Sequence, residues 1–350
     1  MSKSYQVLVV GGGAAGLATA ASLKKRDRSL EVAVVEPSDK HYYQPGWTMV
    51  GAGVFTKEDT IKDTDSIWPS DVIRIKDGVI KFDPKNNKVT LGNKTEVGYE
   101  MLVVASGLKL DWEAIEGLSE SLGENGVTSN YRYDLAPYTW ELVQEMNGKN
   151  AIFTQPPMPI KCAGAPQKAM YLSCDHWQKS GQLEGMNVSF CNAGPVLFGC
   201  ATYVPPLMKY VEKYGINLDF GHNLTKIDGP SKKAWFSVKK EGEDAKTIER
   251  SFDMIHVCPP QRAPDFIKNS PLANEGGWVD VNAETLQHNK FSNIFSLGDV
   301  TSTSNAKTVA AARKQAPIVA QNIIAYLDKK EPKPLYDGYG SCPLTVEKGK

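Results

Sequence analysis

Tyr5-Gln6-Val7-Leu8-Val9-Val10-Gly11-Gly12-Gly13-Ala14-Ala15-Gly16 is the stretch that decides how this chain folds. Its first half is short, β-branched and mostly apolar, the pattern of a strand buried on both faces of a parallel sheet. A helical stretch, Leu17 to Lys25, follows the glycines, and a second strand, Glu31 to Val35, runs into Glu36. Gly11 permits the tight turn, Gly13 lets backbone approach a pyrophosphate, and Gly16 lets the helix pack closely on the strand. At Ala14 and Ala15 the helix start offers unpaired N–H groups and a partial positive charge to phosphates. A carboxylate at Glu36 accepts hydrogen bonds from a ribose diol and disfavours a 2′-phosphate. A glycine-rich loop alone is a weak signal. Strand, loop, helix, strand and acid in this order specify a Rossmann-like α/β unit that holds a dinucleotide.

Two later segments bear on which dinucleotide. Tyr99 to Gly107, ending in Ala105-Ser106-Gly107, and Phe291 to Asp299, ending in Gly298-Asp299, resemble the two further cofactor motifs of two-dinucleotide-binding flavoproteins of the disulfide-reductase type. That resemblance implies a bound FAD, with Asp299 on its ribityl chain, and a fold of two Rossmann-like domains. No cysteine precedes Cys162, so the FAD domain offers no thiol for a covalent flavin link and the cofactor is expected to be non-covalent. Lys307 to Lys329 reads as a helix in which Pro317 predicts a kink. In such flavoproteins that helix aims its N-terminus at the flavin pyrimidine, where its dipole stabilises negative charge by about 1 kcal/mol. Lys307 is expected to assist it, against the alternative of a solvated surface lysine. Val79 to Asp83 and Lys88 to Leu91 read as a hairpin.

From about Gly148 a second strand, loop, helix and strand follow: Asn150 to Thr154, Ala165 to Lys179 and Asn187 to Cys191. A second glycine-rich loop for NAD(P)H would stand between the first two. The residues there are Gln155-Pro156-Pro157-Met158-Pro159-Ile160-Lys161-Cys162-Ala163-Gly164. Prolines and bulky side chains replace the glycines, so this domain is predicted to lack a working NAD(P) loop. Cys162 stands in its place, between Lys161 and a helix start, with Lys168 on that helix. Positive neighbours and a helix N-terminus both favour the thiolate. Cys342 lies in the turn-rich Tyr336-Asp337-Gly338-Tyr339-Gly340-Ser341-Cys342-Pro343. The other four, Cys174, Cys191, Cys200 and Cys258, are read as packing thiols.

Lys161-Cys162-Ala163-Gly164-Ala165-Pro166-Gln167-Lys168, Tyr336 to Tyr339 with Ser341-Cys342-Pro343-Leu344, and Trp278-Val279-Asp280-Val281 with Thr285-Leu286-Gln287-His288 closely resemble the membrane-associated sulfide:quinone oxidoreductases. The resemblance runs from Val7 to Leu344. It implies an enzyme in which Cys162 and Cys342 are oxidised to each other, directly or through a bridging sulfur. Hydrosulfide opens that bond, leaving a persulfide on Cys342 and a thiolate on Cys162, which reduces the FAD. The sulfane sulfur leaves to a small thiophilic acceptor and the electrons go to a quinone. Lys168 is expected to stabilise the thiolate or persulfide, its alternative being a helix-surface lysine. The expected domains are 1–112 with 285–330 for FAD, 113–284 for the second Rossmann-like domain, and 331–350 for a C-terminal segment carrying Cys342. Members of the family continue past the second cysteine into a membrane foot and part of the quinone pocket, so quinone reduction is conditional on such a segment. The expected location is the surface of a membrane, on the cytoplasmic side of a bacterial inner membrane, and a homodimer is allowed.

Composition narrows the rest. Forty Lys plus Arg balance forty Asp plus Glu in 350 residues, which argues against nucleic acid as a partner. The longest apolar runs are strand-sized, short of a membrane span, and the start leaves no room for a signal peptide. No cysteine pair has the CxxC spacing of a zinc site, and no metal is expected. Two rival readings are an NADH:quinone oxidoreductase of the same fold, which would need the missing glycine loop, and a non-catalytic flavin and disulfide redox module.

Overall fold

The computed structural model describes residues 3–146, 149–239, 242–331 and 334–350, and the chain divides into two compact units. The first comprises Met1–His41, Lys62–Lys109 and Arg262–Cys342. Its seven-stranded sheet runs in the order Ile73–Ile75, Val32–Val35, Ser4–Val10, Glu96–Val104, Lys88–Leu91, Val79–Asp83, with Ile294–Ser296 also paired to Glu96–Val104. The strands that lead to cofactor motifs are parallel: Val7 lies opposite both Val32 and Met101, and Leu102 lies opposite Ile294. The predicted hairpin forms at its expected residues and joins the sheet antiparallel.

Alternation explains why the first strand is apolar throughout. Val7, Val9, Met101 and Val103 face one core, where Ala20, Leu23, Val319, Ala320 and Ile323 cover the sheet from the helices Ala14–Arg26 and Val309–Leu327. Leu8, Val10, Leu102 and Val104 face the other, with Ile267, Leu272, Val279 and Val281. Both faces are dry, so neither can carry polar side chains. The last helix begins at Val309, two residues later than its sequence pattern implies, because Thr308 caps it by accepting from the Ala311 N–H. Pro317 stands within this helix.

The second unit comprises Tyr42–Ile61, Leu110–Gln261 and Pro343–Lys350. Its five-stranded parallel sheet runs Val127–Thr128, Met254–His256, Asn150–Gln155, Asn187–Asn192, Asn217–Phe220. An antiparallel meander, His222–Asp228, Lys233–Val238 and Lys246–Ser251, completes it. The helix Ala165–Ser180 packs on the sheet through Met170, Cys174 and Trp177, and Trp177 donates its indole N–H to the Val143 carbonyl at 2.8 Å. Gly148, the expected start of the second strand, loop, helix and strand, lies outside the described residues.

The division departs from the expected boundaries in four places, the smallest being residues 110–112, which belong with the second unit. Residues 262–284 belong with the first unit, since Ile267, Leu272, Val279 and Val281 fill its core. Residues 42–61 belong with the second, where Trp47 and Val50 pack on Ala136. The C-terminal segment is not a separate piece. Cys342 ends the first unit, and Pro343–Lys350 docks on the second through buried Val346, whose carbonyl accepts from the Tyr214 hydroxyl at 3.1 Å.

Trp177 is fully buried and carries both a large apolar area and a satisfied donor. Trp177→Ala should cost about 3–5 kcal/mol, read as a lowered denaturant midpoint of the second unit.

Candidate functional site

The first unit assembles the predicted cofactor residues at the carboxyl ends of its parallel strands. Gly11 has φ +104, and a Cβ there would meet the Ala105 carbonyl at 2.5 Å. The first strand and the Ala105-Ser106-Gly107 segment therefore touch backbone to backbone, held by the Ala105 N–H donating to the Val10 carbonyl at 2.8 Å. A Cβ on Gly16 would lie 1.8 Å from the Gly11 carbonyl, whereas Gly13 and Gly107 have no protein atom beside them. Glu36 reaches the loop from the second strand. Its carboxylate accepts from the Gly12 N–H at 2.7 Å and from the Ser38 N–H at 2.8 Å. Gly298 closes on Ala15, and its N–H donates to the Gln315 amide oxygen at 2.8 Å.

These residues fit a dinucleotide. Open space lies beside Gly13, where a pyrophosphate would pass, and the buried Ser106 hydroxyl has no hydrogen-bond partner among the described residues. An orphaned buried hydroxyl implies a partner from a ligand or water. His41, which sequence reasoning did not single out, stands beside Gly12 and Glu36. Burial holds its imidazole below the usual histidine range, partly offset by the Gly12 backbone and the Glu36 charge. As one histidine in a short strand it carried no motif.

Lys307 lies before the helix cap and is not a solvated surface lysine. It is buried, donates to the carbonyls of Asp299 at 2.8 Å and Thr301 at 2.9 Å, and sits 4.3 Å over the Trp278 ring. Burial pushes its ammonium down to about 8, against an opposing pull from Asp299. The Cys342 segment runs alongside: a Cβ on Gly340 would lie 3.2 Å from Ala306, and Lys314 covers the Tyr339 ring. The Tyr336 hydroxyl donates to the Tyr339 carbonyl, closing the turn before Cys342.

In the second unit the loop after Asn150–Gln155 carries no phosphate cradle. Ile160 is buried with Tyr131 and Cys258. The next loop is drawn over the helix start as well, since the Gln167 amide donates to the Leu197 carbonyl and Leu197 is buried. Cys162 is half-buried ahead of the Ala165–Ser180 helix, and its carbonyl accepts from the Ala165 N–H at 2.7 Å. Lys168 is buried rather than on the helix surface, with Nζ 3.6 Å from the Cys162 Sγ. The Lys161 ammonium is directed to the Gln44 amide oxygen. Cys174, Cys191 and Cys258 are buried as expected of packing thiols, and burial raises all three, the last two to about 12. Cys200 departs from that reading: it is exposed, because it opens a surface turn, Ala201–Tyr203, instead of entering a core. No metal-binding cluster of His, Cys, Asp and Glu occurs among the described residues.

Residues 5–139 match the family described as pyridine nucleotide-disulphide oxidoreductase. The mitochondrial sulfide:quinone oxidoreductase of Dictyostelium discoideum is 42% identical, over 99% of this chain and 76% of its own length. That of Mus musculus is 39% identical, over 98% and 76%. The chain belongs to the sulfide:quinone oxidoreductase family. The solved sulfide:quinone oxidoreductase of Aquifex aeolicus shares the fold with a TM-score of 0.80 at 21% identity, over 94% of this chain and 78% of that one. Family membership implies a flavin cofactor. No helix among the described residues is long and apolar enough to cross a membrane.

Two outcomes follow from the cradle. Gly16→Ala, forced against the Gly11 carbonyl, should lower the thermal midpoint and release the flavin, read as lost flavin absorbance after desalting. For Lys307, burial holds the ammonium of the folded state at about 8, below its ordinary 10.5. Folding then disfavours the charged form, so stability rises with pH between about 8 and 10.5. Lys307→Met should flatten that part of the stability profile measured by denaturant titration.

Proposed function

We propose that this chain oxidises sulfide through Cys162 and Cys342 and a non-covalent FAD, passing the electrons to a quinone. The observation that carries the cysteine role is the Lys168 ammonium 3.6 Å from the Cys162 sulfur, at the position where a second nucleotide loop would otherwise stand. A lysine buried beside a sulfur stabilises its anion. With that loop blocked, reducing equivalents have an entry through sulfur chemistry rather than through NAD(P)H.

In the resting pair the two cysteines are joined as a disulfide, directly or with one bridging sulfur. In the direct case hydrosulfide attacks the Cys342 sulfur; a new S–S bond forms there and the Cys342–Cys162 bond breaks, leaving a persulfide and a Cys162 thiolate. Lys168 offsets the charge on that thiolate. A small thiophilic acceptor removes the sulfane sulfur from Cys342. The flavin, when bound, supplies the acceptor for the pair's two electrons and a relay to quinone, and the disulfide closes again. Glu36 would hold the adenosine ribose, the Gly11–Gly16 turn would admit the pyrophosphate, Ser106 would supply a further polar contact, and Asp299 would bind the ribityl chain. Lys307 would supply a cation to the flavin. The protein works at a membrane surface, where a quinone is reachable, on the cytoplasmic side of a bacterial inner membrane, and it allows a homodimer.

Stopped-flow mixing with sulfide tests this. The flavin band should bleach, and Cys162→Ser and Cys342→Ser should each slow the bleaching by at least about 100-fold. Unchanged rates in both variants would sink the cysteine mechanism. Rapid bleaching by NADH and none by sulfide would favour an NADH:quinone oxidoreductase, and no turnover with sulfide and a short-chain quinone would favour a redox module.

A further inference from the structure

Cys162 has φ +50, in the left-handed region that side chains with a Cβ rarely occupy. Such a conformation persists only where the surroundings over-determine it. The groups that do so are in the same unit. The Lys161 N–H, one peptide before Cys162, donates to the Gln261 amide oxygen at 2.7 Å. The Lys161 carbonyl accepts from the Tyr131 hydroxyl at 3.4 Å. Both polar groups of the Lys161 backbone are thus held from outside the loop, while the Cys162 carbonyl is held by the Ala165 N–H within it.

Gln261 and Tyr131 are themselves fixed. Both are buried, and Tyr131 packs with Ile160 and Cys258. Gln261 follows Met254–His256 by a short loop, and its amide nitrogen donates to the Cys258 sulfur at 3.8 Å. The Cys258 thiol hydrogen is directed to the Pro259 carbonyl at 3.9 Å, so its sulfur accepts from the amide nitrogen and the amide oxygen faces the Lys161 N–H. A thiol sulfur is a weak acceptor and contributes little energy; the Lys161 N–H, which can only donate, fixes the oxygen end.

We propose that Gln261, oriented by Cys258 and seconded by Tyr131, is a positioning residue that holds the Cys162 sulfur in register with the Lys168 ammonium. Without it the strained peptide relaxes and the sulfur moves off Lys168. This gives buried Cys258 a use unrelated to its own reactivity. The inference rests on the reading of Cys162 as the reactive thiol, but it is measured without sulfide, so the two fail separately.

The test is alkylation of the dithiothreitol-reduced holoenzyme by iodoacetamide at pH 7, with Cys162 and Cys258 followed separately by mass spectrometry. Gln261→Met keeps the shape and removes the acceptor. It should slow Cys162 alkylation about three- to tenfold, as the thiolate loses its ammonium, while Cys258 stays protected. Cys258→Ala should slow Cys162 by a smaller factor. A general loosening of the fold would instead speed both sulfurs together, and that result overturns the proposal, as does an unchanged Cys162 rate. If Gln261→Met does not fold, Tyr131→Phe carries the same test, expecting slower Cys162 and protected Cys258. An unchanged rate there is equally fatal.

Discussion

The approach of the first helix to the first strand is the contact on which the cofactor unit depends. A Cβ at Gly16 would lie 1.8 Å from the Gly11 carbonyl, so only a residue without one lets the Ala14–Arg26 helix start where it does. The helix start then faces the space beside Gly13, and its free N–H groups point where phosphates would lie. A second near-contact, between Gly11 and the Ala105 carbonyl, ties the same turn to the Glu96–Val104 strand. Strand, loop and helix are therefore spaced by backbone, and the side chains around the turn are placed as a consequence.

The second unit keeps the parallel strand order and loses the cradle. Its helix Ala165–Ser180 still begins after a strand, with Pro166 in its first turn. What replaces the glycines is a proline-bearing loop anchored by buried Ile160, and the next loop is drawn down over the helix start at Leu197 by Gln167. Burying apolar atoms there stabilises the loop while removing the room and the bare backbone a pyrophosphate needs. The helix start, freed from nucleotide, lies next to a sulfur and a buried lysine. One architecture thus serves two chemistries, and the difference resides in about ten residues.

Charge burial follows the same division. Lys168 and Lys307 are both lysines that an exposure rule would place on the surface, and both are buried. Lys307 is held by two carbonyls and an aromatic face, and the Asp299 charge also favours its ammonium. Burial of a cation is costly unless hydrogen bonds or an anion compensate. A cation held this way remains available to whatever negative charge appears nearby, and Lys168 is next to the Cys162 sulfur in the same sense.

Sequence by itself determined the first nucleotide unit, the hairpin and the missing second loop, because each depends on residues close together in the chain. An apolar run, a glycine spacing or a proline run acts through local backbone geometry and needs no distant partner. The cysteine segments were legible as well, though through family resemblance rather than through any period. Only the tertiary structure decided where residues 42–61, 262–284 and 343–350 belong, since their placement depends on which core receives Trp47, Ile267 and Val346. It also decided that Lys168 and Lys307 are buried, that Cys200 is exposed, and that Gln261 holds the peptide before Cys162 from a hundred residues away. Burial and long-range hydrogen bonds are properties of the packed chain, and no local pattern encodes them.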